Sequence, residues 1–339
     1  MEPLNAHNTS PFLQHRPYPN LLSLVIPIYN EELVIDVLRT EVDRFMHNLC
    51  SQCEVILVND GSSDGSRQKI VAWAEEDRRI KVIDLSRNFG RQIAATAGLD
   101  YASGDAVVVI DADLEDPLPV IHQMIDRYCE GYDVVYGERE ARPGQSPARL
   151  FLAWLFYKLM GFLFYQHLPF DTGDFRLFSR ECLNALKIMR EVHRFLRGMA
   201  ASAGYPQFAL KYQRAAPVAG RTKHPLRKML GFRWTRATSF SSVPLQVSLV
   251  FGLLLGLFGL EEATRAFLAW VLGWHTVPGW TSLMIMDSLL GSTLLVSIWI
   301  LGQYIGLVYE QSKDRPLYII AESFNLQDRD SHREIGTAA

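Results

Sequence analysis

Cysteine is scarce in this chain. There are four, and although Cys50 and Cys53 form a C-x-x-C, no second pair or histidine pair follows at zinc spacing. The cysteines therefore read as reduced thiols of a cytosolic domain rather than zinc ligands. A positive charge balance is also missing: Lys and Arg number 34 against 37 Asp and Glu, a formal net charge of -3. No global basic field suggests nucleic acid. No G-x-G-x-x-G follows the first apolar run, which counts against a dinucleotide oxidoreductase. Met1 to Asn20 is polar and proline-bearing and lacks an apolar stretch, so it reads as a flexible tail rather than a secretory signal. Charge is absent from Val243 to Leu260, and nearly so from Leu283 to Val308, where only Asp287 interrupts. Each run approaches the length of a membrane span.

What is present centres on Val107 to Pro119, VVVIDADLEDPLP. Val107 to Ile110 has the β-branched composition of a buried strand. It ends in Asp111-Ala112-Asp113, with Glu115 and Asp116 just beyond. Carboxylates at the end of a buried strand repel one another and lose hydration. Either the turn is well solvated, or a positive group offsets the cost. A hard divalent cation, Mg²⁺ or Mn²⁺, bound together with a phosphate-bearing substrate, does so through oxygen ligands. A lone D-x-D favours the solvated turn.

The rest of the chain shifts that balance. Leu21 to Tyr29 reads as a first buried strand, and Asn30-Glu31-Glu32 opens a helical pattern to Phe45. Glu54 to Val58 is a second strand, running into Asn59-Asp60-Gly61-Ser62-Ser63-Asp64-Gly65-Ser66. A helix from Ser66 to Glu75, a strand from Ile80 to Leu85 and an Ala-rich helix from Ile93 to Ala102 precede the Val107 strand. A helix from Val120 to Cys129 and a strand from Asp133 to Tyr136 follow. This alternation predicts a mostly parallel sheet covered by helices, whose ligands sit at the carboxyl ends of the strands. Tyr29-Asn30-Glu31, Asn59-Asp60-Gly61 and Asp111-Ala112-Asp113 all fall at such ends. Each cluster alone is ordinary turn chemistry, but together they mark one edge.

The segments IPIYNEE, VNDGSSDGS, LSRNFGRQ and DADLEDP, in this order, resemble family 2 glycosyltransferases with the α/β GT-A fold. The closer similarity is to polyisoprenyl-phosphate glycosyltransferases, the group containing dolichyl-phosphate mannose synthase and the bacterial GtrB and ArnC enzymes. Asp171-Thr172-Gly173-Asp174-Phe175-Arg176-Leu177 and Lys313-Asp314-Arg315-Pro316-Leu317-Tyr318 carry that closer match, which spans Leu21 to Glu322. The resemblance implies that Pro27, Tyr29, Glu31 and Asp60 line a nucleotide pocket, with Asp60 near the base. It implies that Asp111 and Asp113 engage the metal and diphosphate, that Glu115 takes a metal-binding position, and that Arg91 contacts phosphate. Arginine forks suit phosphate recognition, and the resemblance favours Arg139 and Arg149 for the phosphate of an acceptor lipid. Asp174 and Arg176 fall where relatives face the sugar. A lipid phosphate is already ionised near neutral pH, so a strong base is not required. Asp174 then serves either as a base or as an orienting acceptor. Relatives carry R-x-x-G-x-S-K where this chain has PVAGRTK, Pro217 to Lys223. Lys223 and Arg221 remain as contacts to the nucleotide sugar.

The organisation expected is a tail over residues 1–20, a GT-A domain over 21–224, an interfacial amphipathic segment over 225–242, two transmembrane helices within 243–310 and a cytoplasmic tail over 311–339. Residues 225–242 are basic and aromatic, which suits anionic lipid. Arg227, Lys228, Arg233 and Arg236 precede the apolar runs and Lys313 and Arg315 follow them, a bias that places both ends in the cytoplasm. Glycines in both runs suggest close helix contacts and a homo-oligomer. The expected reaction is inverting and metal-dependent: a hexose, first of all glucose from UDP-glucose, passes to undecaprenyl phosphate at a bacterial inner membrane. Mannose from GDP-mannose and an aminoarabinose derivative are the alternatives. A processive polysaccharide synthase is disfavoured, since Leu230 stands where Q-x-x-R-W needs Gln before Arg233-Trp234. A non-catalytic membrane scaffold is disfavoured by the intact Asp60, Asp111, Asp113 and Asp174.

Overall fold

The computed structural model describes residues 13–139, 172–192, 194–213 and 279–326, with scattered positions between 252 and 272. The chain divides into two compact units, one formed by Met1–Gly144, His167–Lys223 and Pro316–Ala339, the other by Gln145–Gln166 and His224–Arg315.

The first unit is built on an eight-stranded sheet. Its strands are β1 (Leu21–Ile28), β2 (Gln52–Asn59), β3 (Ile80–Leu85), β4 (Ala106–Val109), β5 (Val134–Arg139), β6 (Thr172–Ser179), β7 (Gln207–Tyr212) and β8 (Ile320–Phe324), in the order β7-β5-β6-β4-β1-β2-β3-β8. Strands β1 to β5 and β7 share one direction, and β6 and β8 oppose it. Helices α1 (Ile35–His47), α2 (Ser66–Glu76), α3 (Arg91–Tyr101) and α4 (Val120–Cys129) are the crossovers between the parallel strands, and α5 (Arg180–Ile188) and α6 (Leu196–Ser202) follow β6. The central strands bury both faces. Leu22, Leu24, Ile26 and Ile28 of β1 join one hydrophobic cluster, and Val25 joins the other. That two-sided burial is why these strands read as continuous apolar runs.

Strand β6 departs from the simple alternation. It enters antiparallel between β4 and β5, with Arg176 opposite both Val109 and Tyr136. Its first residues therefore lie at the edge where the parallel strands end, which brings Asp174 beside the end of β4. Helix α3 lies very close to the sheet: a Cβ on Gly98 would come within 2.3 Å of a Val25 methyl. The Ala-rich sequence of α3 permits this approach, and it fixes the position of the helix's first residue, Arg91.

Residues 311–339 are more than the tail expected from sequence. Ile320–Phe324 pairs antiparallel with β3 as β8, and the Ser86 amide donates to the Ile319 carbonyl at 2.9 Å. The physical reason is an otherwise open edge on β3, which an extended apolar segment can satisfy.

In the second unit, α7 (Trp280–Ser312) holds an apolar segment, Leu289–Ser312, that is largely unburied. At about 1.5 Å per residue its 24 residues exceed the roughly 30 Å of a bilayer core. Among the described residues it is the one helix long and apolar enough to cross a membrane. Most of the other expected span, 243–260, lies outside the described residues.

A buried polar network staples the amino ends of the strands. The Glu54 carboxylate accepts from the Ser23 hydroxyl, the Lys81 ammonium and the Ser103 amide. Burial raises its pKa, but these donors outweigh burial and hold it below the ordinary glutamate value. A depressed pKa contributes stability above the unfolded value that is lost as pH falls. Glu54→Gln should therefore lower the unfolding midpoint at neutral pH, and the difference from wild type should shrink below about pH 4. Thermal unfolding of both proteins in detergent from pH 7 to pH 3.5 checks this.

Candidate active site

The polar clusters at the carboxyl edge interlock. Asn30, at φ +54°, turns the chain after β1, and its side-chain oxygen accepts from the Ser63 amide at 2.8 Å. The Asn30 amide donates to the Ser62 hydroxyl and the Glu31 amide to the Ser66 hydroxyl. Asn and Asp tolerate such left-handed positions and bond locally, which is why turn residues serve here. Pro27 is part-buried in β1 and Tyr29 is 48 % exposed just beyond it.

Asp60 follows β2 and is buried. Its two oxygens accept from the Phe89 amide at 2.7 Å and the Gly90 amide at 3.0 Å. Burial pushes its pKa up, and the two amides oppose that. Asp60 thus holds the loop that precedes α3. Gly90 in that loop has φ +97°, a backbone conformation that suits glycine. The loop delivers Arg91 as the first residue of α3.

Arg91 is the hub. One of its terminal nitrogens lies 2.6 Å from Asp111 and 2.8 Å from Asp174. Asp174 also receives Arg197 Nε at 2.8 Å and Gln92 Nε2 at 2.8 Å. The Gln92 side-chain oxygen in turn accepts from the Leu196 amide at 3.2 Å, fixing α6 to α3. Burial would raise the Asp174 pKa, but Arg91 and Arg197 outweigh it and hold the carboxyl below its ordinary value. Asp111 goes the other way. Burial pushes it up to about 7; Arg91 opposes this, while Asp113, Asp174 and Asp116 add to it.

The turn after β4 is shaped by Leu114, whose φ of +55° is unusual for a bulky residue. It lets the Glu115 amide donate to Asp113 at 3.1 Å. Asp116 is fully buried and accepts from the Tyr212 hydroxyl, tying this turn to β7.

Sequence reasoning grouped Asp111, Asp113 and Glu115 as metal ligands. Among the described residues no three His, Cys, Asp or Glu side chains form a metal cluster. Asp111 faces Arg91, and Asp113 accepts the amide of Glu115. The donor set suits a hard cation: carboxylate oxygens at one edge, with the Asp111 pKa raised by burial and, to a lesser degree, by the neighbouring carboxylates. Mg²⁺ is commonly held by one or two carboxylates with substrate phosphates completing the shell.

Arg176 departs from the expectation that it faces the sugar. It is 2 % exposed, and its guanidinium lies 5.2 Å from the centre of the Tyr136 ring. Burial, with Arg197 nearby, lowers its pKa to about 10. It is a buried charge beneath Asp174. Arg139 ends β5, with its side chain outside what the structure describes; Arg149, Arg221 and Lys223 also lie outside the described residues. The sequence reading gave no role to Gln92 or Arg197. Gln92 stands in the segment LSRNFGRQ, but only the tertiary fold shows that it and Arg197 meet Asp174.

Comparison with known proteins bears on this edge. Residues 23–186 match the family described as glycosyl transferase family 2. An uncharacterized glycosyltransferase YkcC of Bacillus subtilis is 39 % identical over 312 residues, 92 % of this chain and 97 % of the relative. The chain belongs to glycosyltransferase family 2. A protein of Shigella phage SfV named bactoprenol glucosyl transferase is 36 % identical over 299 residues, 88 % of this chain and 97 % of that protein. A solved mannosyltransferase from Pyrobaculum calidifontis, in complex with GDP-Man and Mn²⁺, is 16 % identical with a TM-score of 0.46, covering 84 % of this chain and 88 % of that one. The α/β sheet with its antiparallel β6 has the GT-A character of family 2, and the protein is a glycosyltransferase.

Arg91→Met would leave Asp111 and Asp174 facing each other without their shared cation. The expected loss of stability is about 1–3 kcal/mol, less than for a fully buried pair because Arg91 is 48 % exposed. Adding Asp174→Asn should recover part of it. Chemical denaturation of the single and double variants in detergent measures both effects.

Proposed function

We propose that this protein is an inverting, metal-dependent transferase that moves a hexose from a nucleotide sugar, first of all glucose from UDP-glucose, to a polyprenyl phosphate. The observation that carries the reading is the edge where Arg91 and Arg197 hold Asp111 and Asp174, with Asp113 in the turn just beyond Asp111, which suits two anionic reactants and a cation. The relative named bactoprenol glucosyl transferase, similar over most of its length, supports the sugar and the acceptor. The apolar segment Leu289–Ser312 supports a membrane location. On this reading two spans anchor the chain, and the catalytic unit faces the cytoplasm.

Asp111 and Asp113 would hold Mg²⁺ or Mn²⁺, with Glu115 as a further candidate. The bound cation would neutralise charge on the leaving diphosphate. The remaining tasks fall to the chain's own groups. Pro27, Tyr29, Glu31 and Asp60 line the nucleotide side, Asp60 by fixing the loop before α3. Arg91 stands within reach of a phosphate once substrate draws it from the carboxylates. Arg139 and Arg149 take the lipid phosphate, and Lys223 and Arg221 close over the donor. Asp174 is ionised, with its oxygens occupied by Arg91, Arg197 and Gln92, so it is a poor proton acceptor. It acts as an orienting acceptor for a sugar hydroxyl. This fits a lipid phosphate nucleophile, which is already largely ionised at neutral pH and does not need a strong base. Arg176 steadies Asp174 from below.

Transfer of radiolabelled sugar to undecaprenyl phosphate, from UDP-glucose and from GDP-mannose, tests the reading. Transfer from UDP-glucose that needs Mg²⁺ or Mn²⁺, and falls at least about 100-fold in Asp113→Ala, is expected. Metal-independent transfer, or none from either donor, would count against it.

A further inference from the structure

A chain of charged and polar contacts links β8 to the loop after β2. Glu322 lies opposite Asp84 across the β3–β8 pair. Like charges placed directly opposite destabilise a sheet. Arg67, the second residue of α2, resolves the conflict: its Nε lies 2.6 Å from Asp84, and a terminal nitrogen meets Glu322. The other Asp84 oxygen accepts from the Asn59 side-chain amide at 2.6 Å, where Asn59 is 1 % exposed. The Asn59 oxygen then accepts from the Ser62 amide at 3.2 Å, and the Ser62 hydroxyl accepts from the Asn30 amide at 3.1 Å. The route runs from the strand that follows α7 in the chain to both loops on the nucleotide side. The residues flanking that strand are anchored too. Asn325 donates to the Ala74 and Ile80 carbonyls, and the Tyr318 hydroxyl donates to Asp100 of α3 at 2.9 Å.

We propose that Arg67 is a positioning residue for the donor: by neutralising Asp84 against Glu322 of β8 it sets residues 59–66 through Asp84 and Asn59, and thereby the affinity for the nucleotide sugar. This rests on the reading of that edge as the nucleotide side. The charge logic makes it specific. Removing Arg67 leaves Asp84 and Glu322 in direct opposition, which drives β8 away and leaves Asp84 to pull on Asn59 alone. Neutralising Glu322 as well removes the repulsion.

The test uses the full chain in detergent, with Arg67→Gln, Glu322→Gln, the double variant and Glu76→Gln, an exposed α2 pairing with Arg39, as control. Hydrogen exchange of the amides of residues 59–66 in ligand-free protein reads the coupling directly. The Michaelis constants for donor and lipid read its consequence. In Arg67→Gln the amides should exchange faster and the donor KM should rise about fivefold or more, with the lipid KM and kcat within twofold. The double variant should lie nearer wild type, Glu322→Gln should change little, and the control should match wild type. Unchanged exchange in Arg67→Gln, or equal rises in both KM values, would overturn the inference. If the wild type uses no tested donor, the functional reading fails instead, and the exchange data alone decide this inference.

Discussion

The structure depends on how negative charge is held at the carboxyl edge of one sheet. Parallel strands end together, their loops carry Asp60, Asp111, Asp113 and Asp116 to that edge, and antiparallel β6 brings Asp174 there. Such groups repel each other when desolvated, so each is held in a particular way. Asp60 accepts two amides. Asp116 takes the Tyr212 hydroxyl. Asp111 and Asp174 share Arg91, and Asp174 adds Arg197 and Gln92. The one left with the least compensation is Asp111, whose pKa rises to about 7. A ligand bringing positive charge into this edge gains most there.

The fold supplies that arrangement through two irregularities. Antiparallel β6 starts at the edge where its neighbours end, so Asp174 arrives beside β4. Helix α3, pressed against β1 through Gly98, presents Arg91 and Gln92 from its first turn. Because Arg197 of α6 reaches the same carboxylate, three separate parts of the chain meet on Asp174. A carboxylate with that many donors is ordered and ionised. It is suited to orienting a substrate rather than taking its proton.

Much of this was legible in the sequence, and the limits have physical causes. Strands β1 to β4 are buried on both faces, so their apolar runs announce them. Strand β6, Thr172–Ser179, carries Asp174 and Arg176 at positions that mimic a loop, and its burial comes from neighbours rather than from composition. Strand β8 exists because β3 has an open edge, which no local pattern records. The D-x-D and Asp174 stood out as chemistry. Arg197 and Gln92 did not, because their meaning lies in contacts to Asp174 that span 23 and 82 residues. Arg67 and Glu322 are separated by 255 residues and were equally silent. Arg176 shows the converse: its place two residues from Asp174, on the same face of β6, suggests contact with substrate, whereas it is buried at 2 % exposure.

The most direct measurement is calorimetric titration of UDP into the full-length protein in detergent, with Mg²⁺ and then with EDTA, in wild type and Asp111→Asn. Binding that appears with the metal, vanishes in EDTA and is lost in the variant is the result predicted by a crowded carboxylate edge that needs a cation. Equal affinity with and without metal, unchanged in Asp111→Asn, would contradict it.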